Sequence, residues 1–255
     1  MSRPRIHVRR RLSLLDNRID AVSWDAMLSR ISLWASRFES RYVCLCNVHS
    51  LITGTQDSDF RQAIDEADTA APDGMPVAWL MRRRGVSLQD RIDGPSLMWK
   101  YAERAALDGT PIFLYGATDG TLARLMRNLH HYFPGLNVVG HYSPPFRALT
   151  SDEEDGVVDR IATSGARVVF IGLGCPRQEK WMAQISARIP AVLLGVGAAF
   201  DYHAGTLRRA PRWMQRNGLE WLFRLCAEPR RLWRRYFVTN SLFAYYLIRE
   251  KLGKG

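Results

Sequence analysis

Asp73 in Pro72-Asp73-Gly74 and Arg91 in Arg91-Ile92-Asp93-Gly94-Pro95-Ser96 stand where side chains can do chemistry, on loops beside short apolar or helical stretches. A carboxylate on such a loop can take a proton from a hydroxyl, and an arginine just ahead of a helix can hold an anion. Each also has a plain structural reading. Asp73 can be a turn residue, and Arg91 can be one basic loop residue among many. Three glycine-bearing segments could cradle a diphosphate: Tyr115-Gly116-Ala117, Gly172-Leu173-Gly174-Cys175-Pro176 and Gly195-Val196-Gly197-Ala198. Glycine lets backbone N–H groups approach phosphate, and a following helix adds its positive end. The same glycines serve equally as tight turns after buried strands. Phe200 occupies the third glycine position of the last segment, so G-x-G-x-x-G is incomplete and a dinucleotide-dependent dehydrogenase is not supported.

Other chemistries lack their residues. Asp57-Ser58-Asp59 imitates a metal-binding D-x-D, but its place ahead of a helical pattern suits an N-cap better. His49, His130, His131, His141 and His203 show no ligand spacing, and no Ser-His-Asp arrangement can be assembled. Cys44, Cys46, Cys175 and Cys226 form no C-x-x-C pair, which fits a reduced cytoplasmic protein rather than a zinc or disulfide framework. Arg3, Arg5 and Arg9 to Arg11 are followed by no apolar signal core before Asp16, Asp20 and Asp25, so export is not expected. No stretch reaches the length of a spanning helix.

The elements that must position these residues are legible in the periodicity. The chain has 255 residues, 47% hydrophobic and 24% charged, the profile of a folded globular protein. Short β-branched runs at 42–47, 112–115, 136–139, 168–171 and 191–196 alternate with helical patterns at 24–38, 60–66, 96–107, 121–132, 153–163 and 177–188. A further short apolar strand can precede Pro72. This alternation predicts an α/β fold, a Rossmann-like, doubly wound and mainly parallel sheet, with its site at the carboxyl ends of the strands. The glycines and Asp73 all fall there.

Composition changes near Gly205, which predicts an α/β core at 1–204 and a helical appendage at 205–255. In the appendage twelve lysines and arginines face three acids, so most of the formal charge of +11 lies there. Trp213, Trp221, Phe223, Trp233, Tyr236, Phe237, Phe243, Tyr245 and Tyr246 are interleaved with them. Cations for anionic headgroups and amphipathic rings for the acyl boundary make an interfacial segment. A capping helical hairpin with a solvated basic face would read the same way. Nucleic-acid binding would use the same charges.

A series of ordered motifs adds a resemblance. Asn47, Pro72-Asp73-Gly74 and Arg91-Ile92-Asp93-Gly94 are followed by Gly172-x-Gly174-x-Pro176-x-Gln178-Glu179-Lys180-Trp181. Gly195-Val196-Gly197-Ala198-Ala199-Phe200-Asp201, Arg209-Ala210-Pro211, Gly218-Leu219-Glu220-Trp221 and Glu228-Pro229-Arg230-Arg231 complete the series. This succession resembles the WecG/TagA/CpsF glycosyltransferases, glycosyltransferase family 26, over most of the chain. The resemblance implies an inverting, metal-independent hexosyltransferase that takes a UDP-sugar and forms a β-linkage to a polyprenyl-pyrophosphate-linked saccharide, without a cofactor. It implies catalytic roles for Asp73 as general base, Arg91 and Gln178. Substrate binding is expected from Asn47, Gly116, Gly172, Gly174, Gly197, Asp201, Arg224, Arg231 and Arg234. An anionic membrane surface is the expected third partner, at the cytoplasmic face of the bacterial inner membrane, with no nucleic acid and with self-association left open. Leu45-Cys46-Asn47 departs from the family's usual Thr-x-Asn, which removes a hydroxyl contact. The chemistry is coherent on its own terms: inverting transfer needs one carboxylate to deprotonate the acceptor and positive charge on the departing diphosphate. The competing reading is a nucleotide-binding or nucleic-acid-binding α/β module without transferase activity.

Overall fold

A computed structural model describes residues 9–253; Arg3, Arg5 and Lys254 of the basic runs lie outside them. The chain opens with an antiparallel hairpin, β1 (Arg11–Leu14) and β2 (Asn17–Asp20), joined through Leu15 and Asp16 at positive φ. It continues through α1 (Trp24–Ser36), β3 (Arg41–Cys46), α2 (Val48–Gln56), α3 (Ser58–Glu66), β4 (Thr69–Pro72), α4 (Met75–Arg83) and α5 (Gly94–Asp108). The second half alternates β5 (Ile112–Gly116), α6 (Asp119–Tyr132), β6 (Val138–Tyr142), α7 (Ser151–Thr163), β7 (Val168–Gly172), α8 (Arg177–Ile185) and β8 (Val192–Gly195). Four helices close the chain: α9 (Ala199–His203), α10 (Arg212–Arg216), α11 (Glu220–Ala227) and α12 (Pro229–Lys251).

Strands β3 to β8 form one six-stranded sheet in the order β4-β3-β8-β7-β5-β6, every neighbouring pair parallel. Side chains alternate between its faces. Val43, Leu45, Leu114, Phe170 and Leu194 join α1, α5, α6 and α9 in one core. Cys44, Cys46, Phe113, Tyr115, Val169 and Leu193 join α2, α3, α4, α7 and α8 in the other. Burial on both faces explains why these strands read as near-continuous apolar runs. The α/β class with a helix-flanked parallel sheet is therefore as expected. β6 starts two residues after the expected run at 136–139, because this edge strand is half-exposed and carries Gly140 and His141.

The sequence reading missed the hairpin, α2 and α4. In β2 the polar ends are structural: the buried Asp20 accepts from the Ala70 backbone N–H at 2.7 Å and pairs with Arg9. A hydrogen-bonding group of the edge strand β4 is thereby satisfied. Gly54 looks like a helix breaker, yet a Cβ there would meet Asn17 Oδ1 at 1.9 Å, so the glycine is what lets the hairpin dock on α2. Asp57 caps α3, accepting from the Phe60 N–H at 3.0 Å, as its sequence position suggested.

The segment after Gly205 is fastened to the core along its length. α12 would extend about 34 Å at 1.5 Å per residue, and it lies along α2. Leu232 and Thr239 are buried, and Phe243 and Leu247 pack against the second core. Near the far end Glu250 pairs with Arg84 at 2.5 Å. Trp233, Phe237, Val238, Tyr245 and Ile248 remain exposed on its other side. No described helix is long and apolar enough to cross a membrane.

Candidate active site

The carboxyl ends of β3, β4, β7 and β8 open into a cavity of about 990 Å³, roofed by α11 and α12. Asn47, Asp73, Arg91, Gly172, Gly174, Gln178, Gly197, Asp201, Arg224 and Arg231 all line it. Residues separated by more than 180 positions in sequence thus meet at the sheet edge where ligands bind in open α/β folds.

Asp73 is held by its backbone. Its N–H donates to Cys46 O at 2.9 Å, and Pro72 O accepts from the Ile92 N–H at 2.8 Å. Gly74 follows at φ 84°, a left-handed turn that sends the chain into α4. The side chain of Asn47 caps α2, its Oδ1 accepting from the Ser50 N–H at 3.2 Å. With the amide oxygen committed to the helix, the Nδ2 end faces Asp73 Oδ2 at 3.5 Å. Asp73 keeps an edge open to the cavity but is otherwise surrounded by protein. Burial, followed by the charges of Asp93 and Glu220, pushes its carboxyl up to about 7, against the opposing pull of Arg91 and Asn47. A carboxyl in that range is matched to general-base work near neutral pH.

Arg91 is not a loose cation. Its Nη1 donates to Glu220 at 2.8 Å and its Nη2 to Gln215 at 2.8 Å, with Asp93 at 3.4 Å. The loop before α5 is therefore tied to α10 and α11. A second tie runs beside it, from Arg209 to Asp93 and Ser96.

Gln178 supports the glycine loop. Its Oε1 accepts from the Gly174 N–H at 3.2 Å, and its Nε2 donates to the buried Glu179 at 2.9 Å. Burial pushes Glu179 up to about 7 as well. Gly174 at φ 81° and Gly197 at φ 56° keep both loops low and open. No side chain caps α8, whose first turn begins behind Gly174 and Cys175 on the cavity wall. That leaves backbone N–H groups for an anion. Gly116 is different: a Cβ there would lie 2.6 Å from the Gly172 backbone, so it serves strand approach, and Ala117 and Thr118 line the cavity in its stead.

The cationic wall differs from expectation in one residue. Arg224, Arg231 and Arg235 line the cavity, whereas Arg234 is exposed and does not. Leu232, Arg235, Tyr236, Thr239 and Phe243 share the packed side of α12 at helical spacing, and Arg234 is turned about 100° from Arg235. Arg231 pairs with Glu228 at 2.6 Å. Among the described residues neither Arg224 nor Arg235 has a carboxylate within 4.0 Å, and the Nε of each is buried without an acceptor. Burial lowers the pKa of Arg235, and burial followed by Arg235 holds His49 down to about 4. Two half-buried guanidinium groups without acid partners make a wall that an incoming anion would complete. Asp57 does not line the cavity and pairs with Lys180 at 2.7 Å.

The sequence alone suggests Arg235, like Arg230, for the lipid-facing side, whereas Arg235 lines the cavity; Glu220, Asp93 and Tyr202 were passed over as cavity residues. The seven-residue spacing of Leu232 and Thr239 was the available signal for Arg235, since it fixes which side of α12 faces inward. The family model for glycosyl transferases of the WecG/TagA/CpsF family matches residues 12–255, so the whole cavity, roof included, falls within the match. The chain belongs to the WecG/TagA/CpsF family of glycosyltransferases.

Proposed function

We infer that the chain is an inverting, metal-independent hexosyltransferase that moves a sugar from a UDP-sugar to a hydroxyl of a polyprenyl-pyrophosphate-linked saccharide. The observation that carries this reading is the division of charge across one cavity. Asp93, Glu220 and Glu228 are neutralised by arginines, while among the described residues Asp73 has no basic side chain within 4.0 Å. Opposite stand Arg224 and Arg235, cations without acids.

In the reaction, Asp73 takes the proton of the acceptor hydroxyl as its oxygen bonds to the anomeric carbon. The bond from that carbon to the diphosphate oxygen breaks, and UDP leaves with the electron pair. Attack opposite the leaving group inverts the centre and gives a β-linkage from an α-linked donor. Arg224, Arg231, Arg235 and the α8 amides face the charge that develops on UDP, the role a divalent ion fills in other transferases. Asn47 orients the base, and Gln178 holds the Gly172–Gly174 loop against the donor.

The exposed Trp233, Phe237, Tyr245 and Ile248, with Arg230 and Arg234 beside them, support docking on an anionic bilayer. On this reading the site works beside its lipid-linked acceptor, at the cytoplasmic face of the inner membrane. The test is release of UDP from purified UDP-sugars, with and without a lipid-pyrophosphoryl saccharide, in the presence of chelator. Release that needs both substrates and survives chelation is expected. A nucleotide-binding module would bind the donor and never release UDP, and activity lost to chelator but restored by magnesium would overturn metal independence.

A further inference from the structure

Arg91 is a ridge with a hollow on each side. One side is the cavity described above; the other is a groove of about 440 Å³ that shares Met75, Arg91 and Asp93 with it. The groove is lined by Arg82, Lys100, Arg212 and Arg216, none of which has a part in the transfer step. Among the described residues Lys100, Arg212 and Arg216 have no carboxylate within 4.0 Å, and Arg82 reaches Asp90 only at 3.9 Å. Two acids also line the groove: Asp93 adds little negative field, because Arg91 and Arg209 both pair with it, and Asp90 offsets one of the five cations, Arg82, Arg91, Lys100, Arg212 and Arg216. Two of the cations are held in place: Arg82 Nε donates to Gln89 O at 2.8 Å, and Lys100 Nζ sits 5.5 Å over the Trp24 ring. The volume lies in the range of small-ligand sites. It is a cationic recess, built from α1, α4, α5 and α10, that shares the wall of Met75, Arg91 and Asp93 with the catalytic cavity.

The transfer reaction brings two diphosphates to one protein. That of the donor belongs with Arg224, Arg231 and Arg235. The acceptor presents its hydroxyl to Asp73 and carries its own diphosphate at the far side of its saccharide, where the first cationic wall cannot serve it without forcing two anions together. We propose that the groove beyond Arg91 binds the diphosphate of the lipid-linked acceptor, with Lys100, Arg212 and Arg216 as its contacts. This rests on the reading that the acceptor carries a diphosphate. Trp213, between Arg212 and Arg216 on the same short helix, is 60% exposed and offers an amphipathic ring to the lipid that follows the diphosphate.

The experiment uses the full chain, saturated with UDP so that the first wall is occupied, and the double variant Lys100→Ala/Arg216→Ala. Calorimetric titration with inorganic pyrophosphate is expected to lose at least about 10-fold in affinity in the double variant, the size of one or two charged hydrogen bonds. In turnover, kcat/KM for a short-chain acceptor bearing the diphosphate should fall at least about 10-fold more than for a phosphate-free glycoside of the same sugar, through KM. Equal falls for the two acceptors, or unchanged pyrophosphate affinity, would overturn the proposal. A loss confined to binding of phosphatidylglycerol vesicles would do the same, because it would make the groove a headgroup site. If wild type glycosylates neither acceptor, the transferase reading fails, while the pyrophosphate titration still reports on the groove.

Discussion

Asn47 Nδ2 and Asp73 Oδ2 lie 3.5 Å apart across the ends of two adjacent parallel strands, and the other end of the same amide caps α2. A helix cap therefore aims a hydrogen-bond donor at a cavity carboxylate that burial has pushed up to about 7. For Asp73→Asn the expected result is a fall in kcat of about 100-fold or more, the usual size of a general-base effect, with UDP binding retained. Wild-type turnover in the variant would remove Asp73 from the mechanism.

The same carboxyl carries a stability cost whose sign follows from its raised pKa. An unfolded aspartate ionises near 3.9, whereas burial pushes Asp73 up to about 7. The native state keeps a proton that the unfolded chain has lost, so stability falls as pH rises through that window and stays reduced above it. Asp73→Asn, which mimics the protonated form, is expected to raise the thermal midpoint at pH 8 and to leave it nearly unchanged below pH 4. A lower midpoint at pH 8 would contradict the origin given for the shift.

Glu220 sits in the roof but acts on the floor. It holds Arg91 at 2.8 Å, and its charge is one of those that raise Asp73. Glu220→Gln keeps a hydrogen-bonding group for Arg91 while removing the charge. The acidic limb of kcat/KM is expected to move to lower pH, as Asp73 becomes easier to ionise. The charges facing Asp73 that set this limb are Arg91, Asp93 and Glu220, with Tyr236 and Cys46 also within its field. An unmoved limb would show that Glu220 only fastens the roof.

Gly116→Ala separates packing from binding. The residue has φ 126° and its absent Cβ would lie 2.6 Å from the Gly172 backbone. The variant is expected to lose more than about 1 kcal/mol in denaturant unfolding, from backbone strain and displaced strands. A fall in UDP affinity without loss of stability would instead return Gly116 to the binding set.

What the sequence made legible was what parallel sheets write strongly: the buried strands and the order of motifs at their ends. The runs at 112–115 and 168–171 became β5 and β7 because both faces of each are covered. The hairpin left no such trace, since β2 consists of Asn17, Arg18, Ile19 and Asp20, and it is held by polar contacts to α2 and β4 together with only two fully buried apolar side chains, Leu14 and Ile19. α2 was hidden by the β-branched Val48, Ile52 and Thr53 and by Gly54, all compatible with a loop. Asp73, Arg91 and Gln178 could be named from motifs, but not that Arg91 would be spent on Glu220 and Gln215. That pairing joins positions more than 120 residues apart and depends on how the roof lies.

The roof also decides between two neighbouring arginines. Arg235 lines the cavity with its Nε buried and without an acceptor, while Arg234 is exposed on the side of α12 that carries Trp233 and Phe237. If Arg235 faces the departing diphosphate, Arg235→Ala removes a charge that matters only as the bond breaks. Turnover on a water-soluble acceptor should then fall by about 10- to 100-fold, the size of one charge-assisted contact to a developing anion, with vesicle binding unchanged. If Arg234 faces lipid, Arg234→Ala should weaken binding to anionic vesicles by about 1 kcal/mol and leave soluble turnover alone. The two single variants are controls for one another, since each removes the same charge from the same helix one residue apart. Equal effects in both assays would mean that net charge, not position, governs the segment, and the assignment of Arg235 to the leaving group would have to be withdrawn.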